Sequence, residues 1–165
     1  MKTQDLIVAM MRYDQGDAKR IQHFIKVYEF ARTIGIMENL DEKTQFILES
    51  AAIVHDIGIH ISEQKYGNCG GKYQEIEGPA EAEKLLEELE YPADVRERVC
   101  YLVGHHHTYH DIDGVDYQIL VEADFLVNLF EDETSEAGRE AAYENIFRTE
   151  SGKKLFRYLY LPEGR

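Results

Sequence analysis

The sequence predicts an all-α fold built as a single domain. Three observations carry that expectation: only three prolines occur in 165 residues, strand-like alternation is scarce, and apolar residues recur at spacings of three and four. A chain of this length fits one ordinary domain whose core needs no disulfide or metal staple to stay folded. No internal repeat, low-complexity tract or Gly/Pro/Ser-rich linker divides it, so residues 1–165 read as one unit.

The first helix is expected over about 3–13. Its apolar stretch, within MKTQDLIVAMMRYD, is too short for a signal-peptide core and is broken by Arg12 and Asp14. The second spans about 17–36 and contains RIQHFIKVYEFAR, in which Ile21, Phe24, Ile25, Tyr28 and Ala31 cover one face. Val27 and Phe30 follow His23 at i+4 and i+7, which puts His23 on a second, partly apolar stripe able to point into a bundle. Asp41 can cap a third helix over about 41–57, and Gly58 stops it.

The exception to helix is SEQKYGNCGGKYQEIEG, residues 62–78, where four glycines and two lysines suggest a mobile loop. A phosphate-binding P-loop is excluded by spacing, because Gly-x-x-x-x-Gly-Lys needs glycine where Tyr66 stands and Tyr73 replaces its Ser or Thr. Pro79 suits the first turn of a helix over about 79–90, and Pro92 followed by Asp94 and Val95 opens another over about 92–107. Helices over about 115–131, 134–149 and 151–160 complete the chain, with boundaries good to ~2–4 residues.

Net charge is −14, from 32 acidic against 18 basic residues, which disfavours long-range attraction for nucleic acid or an anionic membrane. Small anions stay admissible, because a bound divalent cation can dominate the field inside an acidic site. No run approaches the ~18–20 apolar residues of a membrane span. Cys69 and Cys100 are far apart and form no CxxC pair, so both read as free thiols of a reducing compartment. A soluble, cytoplasmic protein is the expectation, and a homodimer is compatible with it.

In AAIVHDIG, residues 51–58, two ionisable side chains end an apolar run. Burying an uncompensated carboxylate is costly, and a partner or a metal is the usual remedy. Asp124 poses the same problem in QILVEADFLVNLF, apolar on most sides, with Leu120 and Val127 on the aspartate's own face. Together, His23, His55, Asp56 and Asp124 make a mixed nitrogen and oxygen set suited to a divalent transition metal such as Mn, Fe, Co, Ni or Zn. Rigid helices can hold such a set inside a bundle.

The order H…HD…D on separate helices resembles the signature of the HD-domain superfamily of metal-dependent phosphohydrolases, and HDIG is a common form of its central motif. The resemblance covers about residues 17–131. It implies a helical bundle of the HD-domain type in which His23, His55, Asp56 and Asp124 bind a first metal and Asp56 can bridge to a second. In multi-histidine members, further histidines between HD and the last Asp hold another ion.

Here VCYLVGHHHTYH presents His105, His106, His107 and His110. His106, at i+7 from Val99 and i+3 from Val103, is best placed to leave the buried face, although the choice among His105, His106 and His107 stays open. Glu77 stands where two-metal relatives often carry His, and an oxygen ligand there favours harder ions such as Mn or Fe. One ion or two are both allowed.

The implied activity is hydrolysis of a phosphoester by a metal-activated water. Asp56 would orient or deprotonate that water, and Lys72 would neutralise charge on the phosphate oxygens, with Lys65, Arg20 and the histidines as further candidates. The substrate is expected to be a small phosphorylated molecule, a nucleotide by analogy. No base-recognition motif selects among nucleoside monophosphates, dinucleoside polyphosphates, cyclic nucleotides and guanosine tetraphosphate, although Tyr66, Tyr73 and Tyr109 can stack on a base. The alternatives are an HD-fold di-iron oxygenase and a catalytically silent metal-binding module. Retention of all four core ligands speaks against the silent module.

Overall fold

The computed structural model describes residues 3–162. Among the described residues the elements are nine helices and no strand, in the order α1 (Thr3–Tyr13), α2 (Ala18–Met37), α3 (Glu42–Val54), α4 (Ile59–Tyr66), α5 (Gly71–Glu88), α6 (Ala93–Val103), α7 (Val115–Glu131), α8 (Glu136–Asn145) and α9 (Glu150–Tyr160). The all-α expectation holds.

Helices α2, α3 and α7 pack on one another at the centre. Each supplies the stripe that its sequence pattern requires: Phe24, Val27, Ala31 and Ile34 from α2, Leu48, Ala51, Ala52 and Ile53 from α3, and Leu120, Ala123 and Val127 from α7 are all buried. Helix α6 covers α3 and is covered in turn by α5, while α1 lies on α3, and α9 on α7 and α2. Side-chain caps fix several starts. Asp17 accepts from Arg20 N at 3.2 Å, Asp41 from Thr44 N at 3.3 Å, and Thr149 from Gly152 N at 2.9 Å.

The expected loop over 62–78 is mostly helix. Its glycines have three separate tasks that composition alone does not distinguish. Gly67 ends α4 in the left-handed conformation (φ +64°), which glycine adopts without penalty. Gly70 and Gly71 begin α5. Gly78 lies inside α5 at a close approach, because a Cβ at Gly58 would stand 2.9 Å from Gly78 N, and one at Gly78 only 2.8 Å from Val103 Cγ1.

Pro79 is therefore interior to α5 rather than in its first turn. The expected helices over 41–57 and 92–107 also stop early, at Val54 and Val103, so that the histidine-bearing segments after them are turns.

Two polar locks hold the far end. Glu122 is wholly buried in α7, where its carboxylate accepts from Thr149 N (3.0 Å), Thr149 Oγ1 (2.6 Å), Arg148 N (2.9 Å) and Gln118 Nε2 (2.6 Å). The helix start of α9 thus solvates a buried anion. Glu38, just past α2, accepts from Ser151 Oγ at 2.5 Å.

Candidate metal centre

Four elements converge on one buried point. His23 comes from the first half of α2, His55 and Asp56 from the turn after α3, His106 from the turn after α6, and Asp124 from the middle of α7. His23 Nε2 lies 3.2 Å from His55 Nε2, 3.2 Å from Asp56 Oδ2 and 3.2 Å from Asp124 Oδ1. His55 Nε2 lies 3.4 Å from each of the same two oxygens, and His106 Nε2 lies 3.4 Å from the other Asp56 oxygen, Oδ1.

The far side of each ring sets its tautomer. His55 Nδ1 sits 2.6 Å from Ala52 O, and His106 Nδ1 sits 2.7 Å from Val103 O. A carbonyl only accepts, so both Nδ1 atoms carry hydrogen, and Nε2 is the nitrogen that presents a lone pair when the ring is neutral. His23 Nδ1 similarly donates to Glu131 Oε1 at 2.7 Å, and Glu131 is itself paired with Lys26 at 2.6 Å. Three imidazoles thus aim at two acceptor-only carboxylates the one nitrogen of each ring that is free to bind either a proton or a metal. His106 Nε2 and Asp124 Oδ1 are buried without a hydrogen-bond partner, an arrangement that is expensive unless something positive stands between them.

A divalent ion satisfies this donor set. With ligand bonds of about 2.0–2.2 Å, neighbouring ligand atoms around an ion lie about 3.0–3.5 Å apart, the range in which these contacts fall. Two combinations of ligand atoms are compact enough for an ion: His23, His55 and Asp56 in one, and Asp56, His106 and His107 in the other. Asp56 belongs to both.

Titration behaviour follows from the same geometry. Burial alone would lower the pKa of His23, but the carboxylates of Asp124 and Asp56 beside it push it up to about 9. His55, wholly buried, is likewise driven well above its ordinary value by those two charges. Burial opposes ionisation of Asp56 and Asp124, yet the neighbouring imidazoles, His55 foremost, hold both well below the usual carboxylate range. Two protons balance two carboxylates in the metal-free site, and one divalent ion can replace them charge for charge.

The remaining candidates fall differently. His107 joins the second group, with Nε2 donating to Gln74 Oε1 at 3.1 Å, and burial followed by the nearby His106 lowers its pKa to about 4. His105 belongs to neither group, because its Nδ1 donates to Tyr101 O and its ring stacks on Tyr101 at 3.9 Å. Glu77 is also outside both: it receives Lys65 Nζ at 2.8 Å and Tyr66 OH at 2.7 Å from α4. Lys72 is exposed in the first turn of α5, with no hydrogen bond to the cluster among the described residues.

The residue of α5 that faces the histidines is Gln74. The sequence does not single it out, because the spacing predicts a helix starting at Pro79 and a neutral amide in a glycine-rich stretch gives no chemical signal. With α5 beginning at Gly71, positions 74 and 78 share the buried stripe and 77 lies at its edge. Glu75 gives no such signal either, although it pins the histidine turn by accepting from His107 N (3.1 Å) and Thr108 Oγ1 (2.9 Å). Tyr109 OH lies 3.4 Å from His107 Nδ1.

The family model described as HD domain matches residues 20–148, most of the chain, and the chain belongs to that family. Its members bind divalent metals and include metal-dependent hydrolases as well as non-catalytic proteins. No curated protein and no solved structure matches the chain. No helix among the described residues is long and apolar enough to cross a membrane.

Proposed function

We propose that the protein is a metal-dependent phosphohydrolase acting on a phosphoester of a small molecule, a nucleotide by preference. The observation that carries this reading is the convergence of three tautomer-fixed Nε2 atoms on two buried carboxylates. His23, His55, Asp56 and Asp124 would hold the ion, and His106 and His107 would share Asp56 with a second one. A bound divalent ion supplies Lewis acidity toward a phosphate oxygen and lowers the pKa of a coordinated water.

The chain's own residues supply the rest. Asp56 is the most accessible of the core ligands, at 14 % side-chain exposure against 4 % for Asp124, so its carboxylate orients the attacking water and takes its proton. Gln74 Oε1 takes the Nε2–H of His107 and so leaves Nδ1 as that ring's ligand-capable nitrogen. Lys72, in the turn whose Gly71 packs against the His107 ring, contributes positive charge toward the phosphate. Glu131, Ala52 and Val103 hold the imidazoles in register.

The test is elemental analysis of the purified protein joined to a phosphate-release screen over phosphomonoesters and nucleotides. One or two equivalents of a transition metal with metal-dependent phosphate release are expected. Metal-bound protein inert toward every phosphoester would overturn the reading.

A further inference from the structure

We propose that the cavity between the 104–114 turn, α7 and α8 is a nucleobase subsite, which orients a nucleotide so that its phosphate reaches the metal centre. This rests on the phosphohydrolase reading above and adds to it the part of the substrate that the centre itself does not touch. The cavity has a volume of about 320 Å³ and is lined by Tyr109, Phe125, Asn128, Leu129, Asp132 and Ala142 among others. That is within the size range of small-molecule sites.

Position is the first argument. Asn128 follows Asp124 by one turn on the same face of α7, about 6 Å along the axis at 1.5 Å per residue, a separation suited to the sugar between phosphate and base. Tyr109 connects the two places directly. Its hydroxyl lies 3.4 Å from His107 Nδ1, and its ring packs edge-on to Phe125 with centroids 5.1 Å apart.

The lining chemistry is the second. Tyr109, 42 % exposed, and Phe125 beside it give the cavity an aromatic wall on which a flat heterocycle can stack. Leu129 and Ala142 give an apolar floor. The side-chain amide of Asn128 lines the cavity, and an amide offers a donor and an acceptor in the plane that a base edge completes.

Asp132 adds an acceptor suited to an exocyclic amine and repels a second phosphate. No lysine or arginine lines the cavity, so the phosphate end of the substrate belongs at the centre and the base end here. Adenine, guanine and cytosine carry the amine. Uracil does not.

The experiment titrates metal-loaded protein with adenosine and with uridine, followed by NMR of the aromatic side chains and by calorimetry. It then compares kcat/KM for AMP with that for ribose 5-phosphate, which lacks a base. Adenosine is expected to perturb Tyr109 and Phe125 and to bind at least tenfold more tightly than uridine. Phe125→Ala and Asn128→Ala should each weaken adenosine at least tenfold and collapse the AMP preference over ribose 5-phosphate by a similar factor.

Failure of millimolar adenosine to move those resonances would overturn the subsite, whatever the variants do. So would equal turnover of AMP and ribose 5-phosphate. Adenosine binding without any phosphate release would keep the subsite and sink the hydrolase reading, whereas turnover of ribose 5-phosphate without adenosine binding would do the reverse.

Discussion

Glu131 touches no other member of the cluster, yet it decides which nitrogen His23 presents. Removing its carboxylate frees His23 Nδ1 to rotate or exchange its proton, and leaves Lys26 without its 2.6 Å partner. Loss of such an orienting acceptor typically costs metal affinity about 10–100-fold. Glu131→Ala should show that loss in a chelator competition while the far-ultraviolet circular dichroism stays helical. Asp56→Ala is the harsher change, because Asp56 belongs to both groups of ligand atoms; metal content after desalting and phosphate release should both vanish, with the helices retained.

Titration of the chelated protein reports on the same residues. The pKa of His23 is raised from 6.5 to about 9 in the fold, so its stabilising contribution is complete below about pH 6.5 and is lost as pH rises through about 9. The melting temperature of chelated protein should fall across that interval. Metal-loaded protein, whose imidazoles need no proton, should hold its melting temperature there.

His23, His55, Asp56 and Asp124 were legible in the sequence because each is ionisable in apolar company. Gln74 and Glu75 were not, since one is neutral and the other is one of 32 acids. Only the fold shows which way they face.

At the scale of elements, the contact between the turn after α3 and the middle of α5 is the most exacting. A methyl group on Gly58 would meet Gly78 N at 2.9 Å and Gln74 O at 3.0 Å, both backbone atoms that move only if α5 moves. Overpacking of this kind costs about 1–3 kcal/mol. Gly58→Ala should therefore lower the urea midpoint of chelated protein by that order, and should also weaken metal binding, because Asp56 sits two residues away on the same turn. If stability falls and metal affinity does not, the turn does not position Asp56.

The same contact explains why the glycines of α5 do not mark a loop. Glycine marks both loops and places where helices touch, and sequence spacing separates the two only once the neighbouring helix is known. The histidine turns give the converse lesson. Apolar periodicity continued through His55 and into the histidine cluster, but the chain leaves the helix at Val54 and Val103 to bring side chains from separate helices to one centre.

For the whole molecule, charge and metal are linked. A chain with net charge −14 that also buries Asp124 at its centre gains from any cation that binds only the folded state. Saturating Mn, Co, Ni or Zn should raise the melting temperature of chelated protein, and Asp124→Asn should shrink that rise. No rise with any of the four metals would rule out a buried metal site.

The Glu122 lock has a consequence for where the cooperative unit stops. The HD-domain match ends at residue 148, but the groups that solvate Glu122 include the N–H and hydroxyl of Thr149, the N-cap of α9, just beyond it. Trimming the chain at that family boundary would strip a fully buried carboxylate of two of its four hydrogen-bond donations, two residues from Asp124 on the same helix. A protease that clipped the 146–149 connection would not release a dispensable tail. It would leave Glu122 short of donors two residues from Asp124, and metal content is expected to fall with the loss of that peripheral helix.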